Sequence, residues 1–246
     1  MNIQRRRVST RSAILRTTAV AGIAALALSA CSGGETSGGS SPTGAAGDLD
    51  LKVGTIFPQT GSLATLGPPE IAGVDLAVKD INDAAQGLSV QVTHTDSGDT
   101  TTNIATQSAT SLLSQGMSAI VGAASSGVSM TIIDQITGAG VVQISPANTS
   151  PDFTDYDDDG YYWRTAPSDV LQGQILGNKI LEDGKTKVGV LYMNDPYGIG
   201  LAQNLVKTLE AGGATVSSNI TYDPSASNFT SEVGQEIGRA SCRERV

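Results

Sequence analysis

From Leu51 onward, two kinds of hydrophobic spacing alternate along the chain. Leu51–Phe57 (LKVGTIF) is a short apolar run that Pro58-Gln59-Thr60-Gly61 breaks, which predicts a strand and a turn. From about Pro69, Ile71, Val74, Val78 and Ile81 recur at steps of three and four, one apolar face of a helix with Glu70 in its first turn. Ser89–Thr95 alternates through Val90 and Val92 and predicts a strand, Ile104–Ser114 a helix, Ala119–Gly122 a buried strand, Val128–Ala139 a helix stopped by Gly138 and Gly140, and Val141–Ser145 a strand. The rhythm then resumes with a helix over Asp169–Leu181, a strand over Lys187–Met193, a helix over Ile199–Ala211 and a strand over Ala214–Tyr222.

Strands separated by helices of this length predict an α/β fold with parallel sheets covered on both faces, and ligands at the carboxyl ends of the strands. Pro151–Pro167, with Asp155, Asp157, Asp158 and Asp159 close together, reads as a loop and a domain boundary. The cluster lacks the spacing of a calcium loop and is read as solvated. The division is lobe 1 over 49–166 and part of a lobe 2 over 167–235.

Composition narrows the function. Apolar residues at 39% suffice for a core, while charged residues are only 16% against a usual share of about 25%. The formal charge is −9, yet Ser32–Gln235 holds seven basic side chains against 22 acidic ones. So acidic a body repels a phosphate backbone, which excludes nucleic acid as a partner. With two cysteines, Cys31 and Cys242, and one histidine, His94, neither a zinc site nor a disulfide scaffold is expected, and no cofactor.

The ends read differently from the body. A basic region to Arg16 precedes Thr17–Ala30, an apolar run of 14 residues; a transmembrane helix needs about 20. The run closes on Leu28-Ser29-Ala30-Cys31, which resembles a bacterial lipobox. Residues 1–30 are therefore expected to be an export signal, with Cys31 lipidated. Residues 31–48, rich in Gly and Ser, read as a flexible tether. At the other end Ile237–Val246 (IGRASCRERV) is suddenly basic and resembles a translated sequencing adapter, so residues 236–246 are expected to be foreign to the protein. On that reading the second lobe is truncated and leaves open sheet edges and an uncovered apolar face.

Three loops leave strand ends on the carboxyl side: Pro58–Pro69, Gly122–Gly127 and Ser145–Pro151. The second opens a helix, whose free N–H groups favour an anion such as a carboxylate. Ser125 and Thr149 offer hydroxyl donors, while Ser126 serves equally well as a helix cap. Ala123–Gly127 also reads as a loose nucleophile elbow, a hydrolase signature, although His94 precedes Ser125 and lies on a predicted strand.

TGSLATLGPPEIAGVDLAVKDIN, IVGAASSGVS, VVQISPANTSP, YWRTAPSD and LYMNDPYGIGLA, in this order over Leu51–Gln235, together resemble the branched-chain amino-acid binding proteins of ABC importers, the type I periplasmic-binding-protein (leucine-binding) family. The resemblance implies two doubly wound lobes that clamp a small solute without chemistry. It also implies permease and ATPase partners, and a lipid-anchored position on the outer face of the membrane. The ligand carboxylate would meet Ser125, with Ser126 beside it, and the turn of Ala147, Asn148 and Thr149. Tyr197 would cover the ligand from the second lobe, where a packing role is the other reading. Leu66 stands where amino-acid binders often offer an aromatic. The acidic residue that holds the amine lies beyond Gln235 in the family. A sensory receptor using the same clamp is the alternative.

Overall fold

A computed structural model describes residues 49–241. The expected export signal and tether, Cys31, Cys242 and the last residues lie outside them. Strand β1 (Leu49–Phe57), helix α1 (Gly67–Asp83), β2 (Leu88–Asp96), α2 (Ile104–Ser114), β3 (Ala119–Gly122), α3 (Ser126–Thr137), β4 (Val142–Ser145) and β5 (Tyr162–Arg164) build the first lobe. Its five strands are all parallel, in the order β2-β1-β3-β4-β5. The second lobe comprises α4 (Asp169–Glu182), β6 (Lys187–Met193), α5 (Pro196–Ala211), β7 (Thr215–Tyr222) and α6 (Thr230–Ser241), with β6 and β7 paired in parallel.

The strand order reverses around β1 and β3, so the loops after these strands part and leave a crevice, the usual ligand position in open parallel sheets. Beneath the crevice, α2 and α3 cover one sheet face. Ile56, Leu112, Ile120, Ile132 and Ile136 are fully buried there. Each such side chain contributes roughly 1.5–3 kcal/mol of transfer free energy. In the second lobe Val190, Ala202, Leu205 and Leu209 form a smaller core between α5 and the β6–β7 pair.

The expected elements are present to within about three residues at either end, the usual uncertainty of a helix terminus. Besides a single turn of 3-10 helix at Pro151–Phe153, two were not anticipated. Strand β5 lies inside the segment read as loop; it has three residues, one of them Arg164, and no room for an alternating pattern. Helix α6 follows Phe229 and packs on β7. No helix among the described residues is long and apolar enough to cross a membrane.

Candidate functional site

Each loop at the crevice is held by hydrogen bonds before any ligand arrives. After β1, Asp96 at the end of β2 accepts from the N–H groups of Gln59 (2.9 Å) and Thr60 (3.1 Å). Burial pulls the Asp96 carboxyl upward, but these bonds, the Thr60 hydroxyl and the Gly98 N–H outweigh it and hold it below its ordinary value. After β3 the chain passes so close to β1 that a Cβ on Gly122 would stand 2.2 Å from the Ile56 carbonyl oxygen, and Gly122 has φ +125°. Only glycine fits there. Ser125 then caps α3, its hydroxyl accepting from the Val128 N–H at 3.3 Å. The cap is thus Ser125 and not Ser126, and the Ser125 hydroxyl hydrogen remains available to a ligand.

The loop after β4 is tied to the loop after β3. The Ser145 hydroxyl donates to the Ala123 carbonyl (2.7 Å) and accepts from the Asn148 N–H (3.0 Å). The Ser126 hydroxyl accepts from the N–H groups of Thr149 and Ser150, each at 3.3 Å. The Asn148 amide donates to the Ala124 carbonyl (2.9 Å) and accepts from the Tyr162 hydroxyl (2.8 Å).

From the second lobe comes the turn between β6 and α5. Asp195 caps α5, accepting from the Gly198 N–H at 2.7 Å. A Cβ on Gly198 would lie 2.1 Å from the Met193 carbonyl oxygen, so this turn too requires glycine. Burial raises the Asp195 carboxyl above its ordinary value, offset in part by the N–H groups of Gly198 and Tyr197.

These pieces enclose a cavity of about 310 Å³. Of the seven ligand-binding residues expected from sequence, Leu66, Ser125, Ser126, Ala147, Thr149 and Tyr197 line it. Asn148 does not. Its side chain is fully buried and spans the two loops, because its amide is consumed by Ala124 and Tyr162. The Ser126 hydroxyl oxygen accepts from two backbone N–H groups and ties the two loops. Leu63, Ala124, Gln172, Met193 and Asp195 also line the cavity and were not anticipated. Asp195 carried a signal, since Asp followed by Pro marks a helix start and places the residue at the same strand end as Tyr197.

His94 does not reach Ser125. It bonds to the Thr55 hydroxyl (2.8 Å) and to Asp75 (2.9 Å), tying β2 to β1 and α1. Among the described residues, the elbow of Ala123–Gly127 therefore has no histidine beside Ser125. Among the described residues, no group of three or more His, Cys, Asp or Glu is placed to hold a metal ion.

The model of the family described as "Periplasmic binding protein" matches residues 50–238. The chain belongs to this family. A Leucine-specific-binding protein of Salmonella typhimurium is 31% identical over 206 residues, which is 81% of this chain and 50% of that protein. A Leu/Ile/Val-binding protein homolog of Brucella melitensis is 28% identical over 75% of this chain and 50% of its own length. The chain thus spans about half the length of the curated relatives it matches. Among solved structures, a branched-chain amino acid transporter substrate binding protein from Streptococcus pneumoniae, in complex with isoleucine, superposes with TM-score 0.67 at 30% identity, covering 77% of this chain and 54% of that one. A solute binding protein from R. palustris in complex with 4-hydroxybenzoate superposes with TM-score 0.71 at 19% identity, over 77% and 51%; that likeness speaks for the fold alone. The fold is the type I periplasmic-binding-protein fold.

Proposed function

We propose that this chain is the first part of a solute-binding protein of an ABC importer, which clamps a small carboxylate between its lobes and breaks no bond. The observation that carries the reading is the cavity between the lobes. Ser125 and Thr149 face it from one lobe and Tyr197 from the other. The N-terminus of α3 points its free N–H groups at the same place. Leu63, Leu66, Ala124, Ala147 and Met193 suit an apolar body, while Ser126, Gln172 and Asp195 add polar groups to the wall. A branched-chain amino acid meets both demands. Isoleucine and 4-hydroxybenzoate, the molecules held by two structural neighbours, are both carboxylates with apolar bodies.

In this reading residues 1–30 are removed at export and Cys31 carries the lipid. Residues 31–48 tether the clamp to the outer face of the membrane, where it delivers solute to permease and ATPase subunits. Lobe 1 over 49–166 and the part of lobe 2 over 167–235 are the clamp, and residues 236–246 are foreign.

Calorimetric titration of the full-length protein with L-leucine, L-isoleucine and 4-hydroxybenzoate tests the reading. Saturable binding of one of them is expected, and Thr149→Ala should weaken it by about 1–3 kcal/mol, the value of a hydrogen bond to a charged group. Turnover of simple esters that vanishes in Ser125→Ala would replace it with the hydrolase reading.

A further inference from the structure

We propose that the open α1 face of the first lobe is an interface for a helix from the other half of the protein, and that this helix brings a lysine or arginine to Glu70. On this face β1 presents Val53 and Phe57 and β3 presents Val121, and with Val74, Ala77 and Val78 of α1 they wall a groove of about 490 Å³. Strand register carries the same face from Val121 to Ile144 on β4 and to Trp163 on β5. Ile120, Gln143 and Ser145, which point to the opposite face, are fully buried, whereas Val121 and Ile144 are half-buried and Trp163 is 60% exposed.

Topology explains why the face is open. A right-handed crossover places its helix on one face or the other according to the direction in which the chain crosses the sheet. The step from β1 to β2 runs toward one edge and puts α1 on this face. The steps from β2 to β3 and from β3 to β4 run the opposite way and put α2 and α3 on the other face. The step from β4 to β5 runs that way too and carries only a single helical turn. After β5 the chain enters α4 of the second lobe, so no connection among the described residues lays a second helix beside α1. Parallel sheets are covered on both faces. Strands β3, β4 and β5, spaced by about 4.8 Å, leave a strip about 10 Å wide, the diameter of one helix. The chain spans about half the length of its curated relatives, and the other half is the source of the covering helix.

Glu70 sets the chemistry of that helix. It stands in the first turn of α1 and lines the groove. Its Oε2 is buried and has no hydrogen-bond partner among the described residues. A carboxylate oxygen with apolar neighbours and no donor is costly, and a cation with N–H groups to give supplies both the countercharge and the missing bond. An apolar cover without such a group would bury the acid more deeply and leave it unpaired. The covering helix therefore carries an apolar stripe and one lysine or arginine, placed over the carboxyl ends of the strands, where α1 begins.

The full-length protein is studied without solute, so the outcome is independent of what the cleft binds. Ala77→Cys places a thiol in the groove, and Leu76→Cys places one on the outer side of α1, where Leu76 is 59% exposed. With the parent's own labelling as baseline, a maleimide should modify Ala77→Cys at least about tenfold more slowly than Leu76→Cys, as for a site that opens only by local unfolding. Equal rates in the folded protein would overturn the interface. Glu70→Leu tests the cation. Leucine suits the apolar walls, so with no cation present it should raise the urea midpoint. With a cation present it strands a buried charge, and the folding equilibrium constant should fall by about tenfold or more. A midpoint that holds or rises would overturn the pairing, and the labelling result stands whether or not this variant folds. In the 246-residue chain, where no described residue offers that cation, Glu70→Leu should stabilise instead.

Discussion

The two faces of the five-stranded sheet are built from the same strands and end in different states. Strand β1 sends Ile56 to the α2–α3 face, where it and the side chains around it are fully buried. Its Val53 and Phe57 point to the α1 face, where they line an apolar groove of about 490 Å³ together with Val74, Val78 and Glu70. Helix α1 has the regular apolar stripe of Ile71, Val74, Val78 and Ile81, yet the first three are only half-buried and Ile81 is exposed. The stripes on α2 and α3 reach zero exposure. Amphipathic spacing therefore predicts that a helix forms and which side it turns inward, but not how deeply that side is buried. The difference is one of coverage: two helices pack side by side on one face, and α1 alone lies on the other.

The comparison can be broken most directly by truncating one side chain on each face. Ile132→Ala on the α2–α3 face should cost about 2–5 kcal/mol, whereas Val78→Ala on the groove face should cost less than about 1 kcal/mol, because surrounding water already reaches the site. Urea unfolding midpoints at constant slope would measure both. Equal losses would mean that the groove is filled in solution.

A second test uses the acid on the groove face. Burial raises the Glu70 carboxyl to about 7 from its ordinary 4.5. The folded state therefore binds a proton more tightly than the unfolded chain, so stability falls as pH rises from about 4.5 to about 7. Glu70→Gln should be more stable than the parent above that range by about 1–2 kcal/mol, after discounting for partial exposure, and should show no gain below it. Melting temperatures across pH would read the crossing, and a pH-independent difference would remove the titration from the account.

A smaller effect is expected on the buried side of the loops. Tyr162→Phe removes the donor to the Asn148 amide oxygen and should cost about 1–2 kcal/mol while leaving the backbone in place, measured by the same unfolding series. Smallest is Asp75→Ala on α1, whose bond to His94 is largely in water. A loss below about 1 kcal/mol is expected, and a larger one would show that this tie, more than apolar contact, fixes α1 on the sheet.

Much of the candidate site was legible because ligand-facing loops in parallel α/β folds follow strand carboxyl ends, and strand ends follow from spacing alone. Ser125 and Thr149 were found in this way, while Tyr197 came only from the resemblance to the leucine-binding family. The exceptions share one cause. Asn148 sits between two cavity-lining neighbours in sequence, but its amide is turned inward by Ala124 and Tyr162, residues 24 and 14 positions away. Gln172 lies on a helix whose start was foreseen, and reaches the cleft because the Asp169 N–H ties the start of α4 to the Thr149 carbonyl. Strand β5 escaped notice because three residues carry no period, and pairing with β4 alone makes it a strand.

The sequence by itself determined the order and type of the elements other than β5 and α6, and the three loops that could meet a ligand, since periodicity, glycine stops and caps act over one or two turns of chain. The tertiary structure alone decided which loop side chains face the cleft, which face of the sheet is sealed, and that Asp169 is buried. Those outcomes depend on partners distant in the chain, and a side chain's direction in a loop is set by whichever distant donor, acceptor or apolar surface satisfies it in the packed state.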